Sequence, residues 1–184
     1  MILTAETGLL DQARYIASPN CDPRPDPADI DALVIHAISL PPDRFGGEYI
    51  EQLFTNCLDP QAHPYFAEIC TLNVSAHFLI RRDGTLIQFV PTHMRAWHAG
   101  RSVLHGREEL NDFSVGIELE GCDSRPFASA QYEQLSALVQ AIRAAYPAIS
   151  ESRIVGHSDV APGRKTDPGP CFDWHRFRKL IAST

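Results

Sequence analysis

The chain has 184 residues, 44 % of them hydrophobic, and its 16 basic against 23 acidic residues leave a net charge of −7. That length suits one domain with a sizeable core. The acidic balance and the absence of any lysine- or arginine-rich run exclude a nucleic-acid footprint and give no hold on an anionic membrane, and no apolar run is long enough to span a bilayer.

The first fifteen residues, "MILTAETGLLDQARY", carry Glu6 and Asp11 where a secretory signal would be apolar. Five cysteines (Cys21, Cys57, Cys70, Cys122 and Cys171) are scattered and never spaced as CxxC. They read as free thiols in a reducing compartment, not as a disulfide framework or a zinc knuckle. Both features predict a cytoplasmic protein. The stretch "SPNCDPRPDPADID" (18–31) holds four prolines and reads as part of an irregular N-terminal arm covering about 1–31.

The β-branched run "ALVIHAISL" (32–40) predicts a buried strand interrupted by His36. After the turn "PPDRFGG", Tyr49, Ile50, Leu53, Phe54 and Cys57 recur with helical spacing. Residues 58–75 read as loop. "AHFLIRRDGTLIQFV" (76–90) predicts a hairpin about a two-residue Asp83-Gly84 turn. In "SVGIELEG" (114–121), Val115, Ile117 and Leu119 take one face of a strand, and Gly116, Glu118 and Glu120 the other. A helix capped at Ser129 buries Tyr132, Leu135, Leu138, Val139, Ile142 and Tyr146. "RIVG" is a short strand, and Asp173 caps a last helix that buries Trp174, Phe177, Leu180 and Ile181. Interspersed strands and helices with a hairpin predict a mixed α/β fold, one domain with a central mixed sheet covered by helices.

The loop "GHSDVAPGRKTDPG" (156–169) concentrates His157, Asp159, Lys165 and Asp167 between residues that stiffen or bend the backbone. With His36 it could supply two histidines and a carboxylate, a donor set suited to zinc with one position open to water. An ordinary surface turn, its aspartates capping local amides, explains the loop equally well. Glu118 and Glu120 share a strand face, where either could be a general base or a solvated carboxylate. Trp97 in "RAWHAGRS" and Tyr65 in "HPYF" read either as walls of a sugar-binding groove or as core aromatics.

The segments "VIHAISLPP", "HPYFAEI", "VSAHFLIRRDGTLIQFVP", "RAWHAG", "NDFSVGIELEG", "GHSDVAPGRKTDPGP" and "FDWHRFR" occur in this order between about Leu33 and Phe177. Together they resemble the zinc amidases that include phage amidases, peptidoglycan recognition proteins and the AmpD-type anhydromuramyl-peptide amidases. The resemblance implies that His36, His157 and Asp167 bind Zn2+, that Glu118 rather than Glu120 is the general base, and that Lys165 is catalytic. It implies hydrolysis of the bond between the lactyl group of (1,6-anhydro-)N-acetylmuramic acid and L-alanine in peptidoglycan recycling, with a muropeptide as partner; a monomer is expected. Trp97, Tyr65 and Arg82 are the expected substrate contacts. Ala37, Asn73 and Glu109 depart from the family pattern at contact positions, which shifts stem-peptide recognition to Arg81, Arg82 or Arg107, or alters specificity. A fragment-binding protein without catalysis and an amidase acting on polymeric wall are the alternative readings.

Overall fold

The computed structural model describes residues 1–27 and 29–182. In chain order, β1 (Leu3–Thr4), β2 (Leu9–Leu10), β3 (Arg14–Tyr15) and β4 (Cys21–Pro23) precede the long strand β5 (Ala32–Ile38). Helices α1 (Tyr49–Phe54) and α2 (Phe66–Ile69) lead to β6 (Phe78–Ile80) and β7 (Leu86–Gln88). Then come β8 (Met94–Ala96), β9 (Val103–Leu104), β10 (Arg107–Glu108) and the second long strand, β11 (Ser114–Glu120). Helix α3 (Ser129–Ala145), β12 (Ile154–Gly156), the one-turn α4 (His157–Val160) and α5 (Trp174–Ala182) follow.

Six strands form one mixed sheet in the order β12-β5-β11-β6-β7-β3. β12, β5, β11 and β6 are parallel, β7 returns antiparallel to β6, and β3 runs parallel to β7. This is the expected mixed α/β architecture. β5 sits between two parallel neighbours and is covered on both faces, which is why its sequence is a near-continuous apolar run. Leu33 and Ile35 join Val115, Ile117 and Leu119 beneath α3 and α5, packing against Leu135, Leu138, Ile142 and Phe177. Val34 and Ala32 face the other side, with Phe113 and Val160. A third cluster packs Leu53 and Phe54 of α1 and Phe66 of α2 against Leu79, Ile87 and Phe89.

Several local readings change. The N-terminal arm is not wholly irregular: β3 adds an edge strand to the main sheet, and β4 pairs with β8. Its anchor is Arg24, only 5 % exposed, whose guanidinium donates to the carbonyls of Thr92, Asn111, Asp112 and Ser114 at 2.8–3.1 Å. Four carbonyls, two of them buried and two part-buried, thus gain a donor while the arginine is satisfied. The 76–90 hairpin turns through three residues, because the Arg81 amide donates to Thr85 O and Gly84 at φ +87° supplies the left-handed position that ends such a turn. α1 stops at Phe54, since Asn56 is left-handed, and Cys57 is exposed. Ser129 is the first helical residue rather than the cap, and Gln131 Oε1 accepts instead from the Ala128 amide. Asp173 caps α5 as expected, accepting at Oδ1 from the Arg176 amide at 2.9 Å.

Candidate metal centre and active site

Strand register places the first two groups. β5 and β11 are parallel neighbours with Glu118 opposite His36. Because successive side chains alternate, Leu33, Ile35, Ile117 and Leu119 go to the helix-covered core while His36 and Glu118 emerge side by side on the other face. His157 is the first residue of α4, directly after β12, the other neighbour of β5. The site therefore lies toward the carboxyl ends of three adjacent parallel strands. Asp167 reaches it from the loop, which is tied to α4 by the Ser158 amide donating to Asp167 O at 2.8 Å. Asp159 takes the capping role instead, accepting from the Gly156 amide at 2.7 Å. The loop's two aspartates thus differ in place: Asp159 caps the backbone, and Asp167 lies beside the two histidines.

His36 Nδ1, His157 Nδ1 and Asp167 Oδ2 form a triangle with edges of 2.9, 3.1 and 3.1 Å. Tetrahedral ligands about 2.0–2.1 Å from a zinc ion stand roughly 3.3 Å apart, so the triangle has the right size. These three residues are the described group able to hold a metal ion. Both histidines are nearly inaccessible, at 1 % and 3 % exposure. Burial draws His36 down to about 4, so it is neutral near pH 7, as a ligand must be. Burial alone would raise Asp167, but hydrogen bonds with His157 and His36 prevail and hold it below the usual carboxylate range. His157 Nε2 donates to Ala99 O at 3.0 Å, which leaves the Nδ1 lone pair for the ion.

The two glutamates of the strand have different environments. Glu118 Oε2 is buried without a hydrogen-bond partner among the described residues. Burial first, then the Asp167 carboxylate, push its pKa well up, while Lys165 opposes them. Glu120 is 2 % exposed but fully engaged, accepting from Arg81 at 2.9 Å, from the Gly46 amide at 2.6 Å and from the Arg82 amide at 3.1 Å. Its chemistry is spent on structure, whereas Glu118 has none to support.

A cavity of about 380 Å³ opens over the cluster. His36, Glu118, His157 and Asp167 line it together with exposed Lys165 and with Tyr65 and Trp97. Leu53, Ile69 and Val74 supply an apolar wall. Trp97 is half-buried, and its Nε1 donates to Asp22 Oδ1 at 3.0 Å. Ala37 also borders the cavity. The structure does not bring Arg82 there. Its guanidinium lies 4.8 Å from the centre of the Phe45 ring and donates to Pro126 O, because the hairpin turn directs it away from the cluster. Arg81 is bound to Glu51 and Glu120, and Arg107 to Asp29. Asn73 and Glu109 are exposed and line no part of the cavity. His77, at the start of the hairpin, is a framework group: Nδ1 accepts from the Gly116 amide and Nε2 donates to Met94 O. His98, which the sequence presents beside Trp97 without a place at the metal centre, has its Nδ1 2.9 Å from His36 Nε2.

The family model described as N-acetylmuramoyl-L-alanine amidase matches residues 26–170. The 1,6-anhydro-N-acetylmuramyl-L-alanine amidase AmpD of Escherichia coli strain K12 is 56 % identical over 177 residues, 96 % of each chain. A crystal structure of a selenomethionine AmpD derivative superposes with a TM-score of 0.94 at 55 % identity, covering 98 % of this chain and 99 % of that one. The amidase AmiD from Escherichia coli, in complex with the substrate anhydro-N-acetylmuramic acid-L-Ala-D-gamma-Glu-L-Lys, superposes with a TM-score of 0.61 at 32 % identity, covering 83 % of this chain and 57 % of that one.

Proposed function

Since the chain belongs to the N-acetylmuramoyl-L-alanine amidase family, we propose that it hydrolyses the amide between the lactyl group of (1,6-anhydro-)N-acetylmuramic acid and L-alanine. Zinc is the proposed cofactor and soluble wall fragments, recycled inside the cell, are the proposed substrates. The observation that carries this reading is a triangle of potential metal-ligand atoms in one cavity with Glu118, whose Oε2 is buried without a hydrogen-bond partner among the described residues. The near-complete match to the AmpD relative and the muropeptide bound by AmiD support the choice of substrate.

His36, His157 and Asp167 would hold the ion. Bound there, zinc supplies Lewis-acid activation of water and of the amide carbonyl. Glu118 takes a proton from the attacking water and returns it to the departing alanine nitrogen. Burial raises its proton affinity and Lys165 lowers it, which suits a group that must both accept and release a proton. The Lys165 ammonium, in the cavity lining, faces the negative charge that grows on the amide oxygen as the tetrahedral centre forms. Trp97 and Tyr65 present aromatic surface to the muramyl ring, and the apolar wall excludes water from that side.

Mass spectrometry of anhydromuramyl-tripeptide and of intact sacculi, treated in parallel, tests the reading. The tripeptide substrate should split into anhydro-N-acetylmuramic acid and free peptide, cease to do so with chelator, and recover with zinc. Products from sacculi alone would replace this reading with an amidase of polymeric wall, and no products from either would leave a binding protein. Metal analysis should give one zinc per chain, and full occupancy in His157→Ala would overturn the ligand set.

A further inference from the structure

We propose that His98 is a positioning residue for the metal centre: a relay of hydrogen bonds through it fixes the tautomer and ring orientation of His36, and so aims the lone pair that His36 offers to a cation. The proposal rests on the reading of His36, His157 and Asp167 as metal ligands.

The relay is read from its far end, where only one assignment is open. Ser114 Oγ lies 2.5 Å from Leu110 O, and a carbonyl can only accept, so the hydroxyl hydrogen points there. The Ser114 oxygen is left with lone pairs, and it faces His98 Nε2 at 3.3 Å. His98 therefore carries its hydrogen on Nε2 and keeps a lone pair on Nδ1. That lone pair faces His36 Nε2 at 2.9 Å, which must be the donor. A neutral imidazole protonated at Nε2 has its remaining lone pair at Nδ1, the atom facing His157 Nδ1 and Asp167 Oδ2. With His98 absent, nothing in this chain of contacts would favour Nε2–H over Nδ1–H on His36.

The surroundings are built to hold the ring there. The His36 and His98 rings meet nearly edge-on, at 85° and 5.0 Å between centres. Asn111 Oδ1 accepts from the backbone amides of both His98 and Ala99, at 3.2 and 2.8 Å, which fixes the segment. Adjacent residues of that segment thus orient both histidine ligands, His98 through its ring and Ala99 through its carbonyl. Gly116 is required by space, not by backbone angle: a Cβ there would lie 2.5 Å from His98 Cγ and displace the ring. The glycine on the polar face of β11 thereby gains a reason that alternation alone did not provide.

Two measurements test the relay: zinc affinity by competition with a chromophoric chelator, and 15N-resolved imidazole spectra of the metal-free protein. The spectra should show His36 protonated at Nε2. His98→Leu should weaken zinc binding by about 10–100-fold, the usual effect of losing an outer partner of a metal ligand. His98→Asn, whose Oδ1 can accept where Nδ1 did, should recover most of that loss. Gly116→Ala should weaken zinc binding as His98→Leu does. A packing role alone would lower the melting temperature of both His98 variants and leave zinc affinity in the folded protein unchanged, and that result overturns the proposal. So does a His36 protonated at Nδ1 in the metal-free wild type, a measurement that stands even where His98→Leu fails to fold. If the wild type binds no zinc, the metal-site reading fails, while the His36 tautomer still judges the relay.

Discussion

Replacing Glu118 by glutamine separates catalysis from stability, because the structure gives this carboxylate no bond to lose. Its Oε2 has no partner among the described residues, and burial raises its pKa well above the ordinary value. The sign of the stability effect follows. In the unfolded chain the carboxyl ionises above its ordinary value of 4.5, whereas the metal-free fold favours the protonated form, so the group subtracts stability as pH rises past 4.5. Glu118→Gln should therefore leave the melting temperature of the metal-free protein at pH 7 unchanged or higher. Turnover should fall by about 10²–10⁴, the range for losing a general base, with zinc still bound. That corresponds to roughly 3–6 kcal/mol of barrier at about 1.4 kcal/mol per tenfold. Glu120→Gln should do the reverse. Its oxygens serve Arg81 and two backbone amides, and an NH₂ in place of one oxygen sets donor against donor. Arg81 keeps Glu51 as a partner, so the loss should be about 1–3 kcal/mol of stability with turnover largely kept. Urea unfolding and product release from anhydromuramyl-tripeptide, measured on both variants, decide the matter. Equal losses of turnover at the two positions, or a large loss of stability at Glu118, would refute the reasoning.

On the proposed mechanism, in which the Lys165 charge acts mainly in the transition state, Lys165→Ala should lower kcat by about 10²–10³ with zinc retained; a rise in KM alone would make it a substrate-carboxylate contact. Trp97→Ala should weaken fragment binding in calorimetry by about tenfold while costing less than the roughly 3–5 kcal/mol of a core aromatic; a large stability loss with affinity intact would assign Trp97 to packing. Hydrogen bonding from Arg95, and secondarily from Trp97, outweighs burial and holds Asp22 below its ordinary 3.8, so its stabilisation is complete above 3.8 and fades as pH falls through the lower folded value. The stability gap between wild type and Asp22→Asn should accordingly narrow as pH falls below 3.8, and a gap that stays constant on acidification would contradict the pairing.

The parts of the site that lie on regular elements were legible in the sequence, because periodicity fixes which way a side chain points. Alternation along β11 put Glu118 opposite the apolar core face, and the apolar run of β5 made His36 conspicuous. Alternation could not separate Glu118 from Glu120, since two residues two apart share a face. Only the three-dimensional arrival of Arg81 and the Gly46 amide at Glu120 distinguishes them. The loop's two aspartates posed the same problem, solved by the position of Gly156 relative to Asp159. Arg82 was misplaced because a basic residue near a turn carries no signal of direction, and a three-residue turn aims it differently from a two-residue one. The N-terminal strands escaped notice because each is two or three residues long and is held by partners far along the chain. Arg24, buried among four carbonyls, is legible only once those carbonyls are in place.

The central position of β5 has a consequence for how the protein is made. Synthesis proceeds from the N-terminus, so β5 emerges well before either neighbour, β11 beginning at Ser114 and β12 at Ile154. His36 is 121 residues from His157 and 131 from Asp167. A nascent chain that has not reached residue 167 has at most two of the three proposed ligands, and they are brought together only when the sheet closes around β5. Such distant pairing makes closure slow relative to local helix formation. On the proposed ligand set, a complete metal site can therefore form only once the sheet has closed around β5.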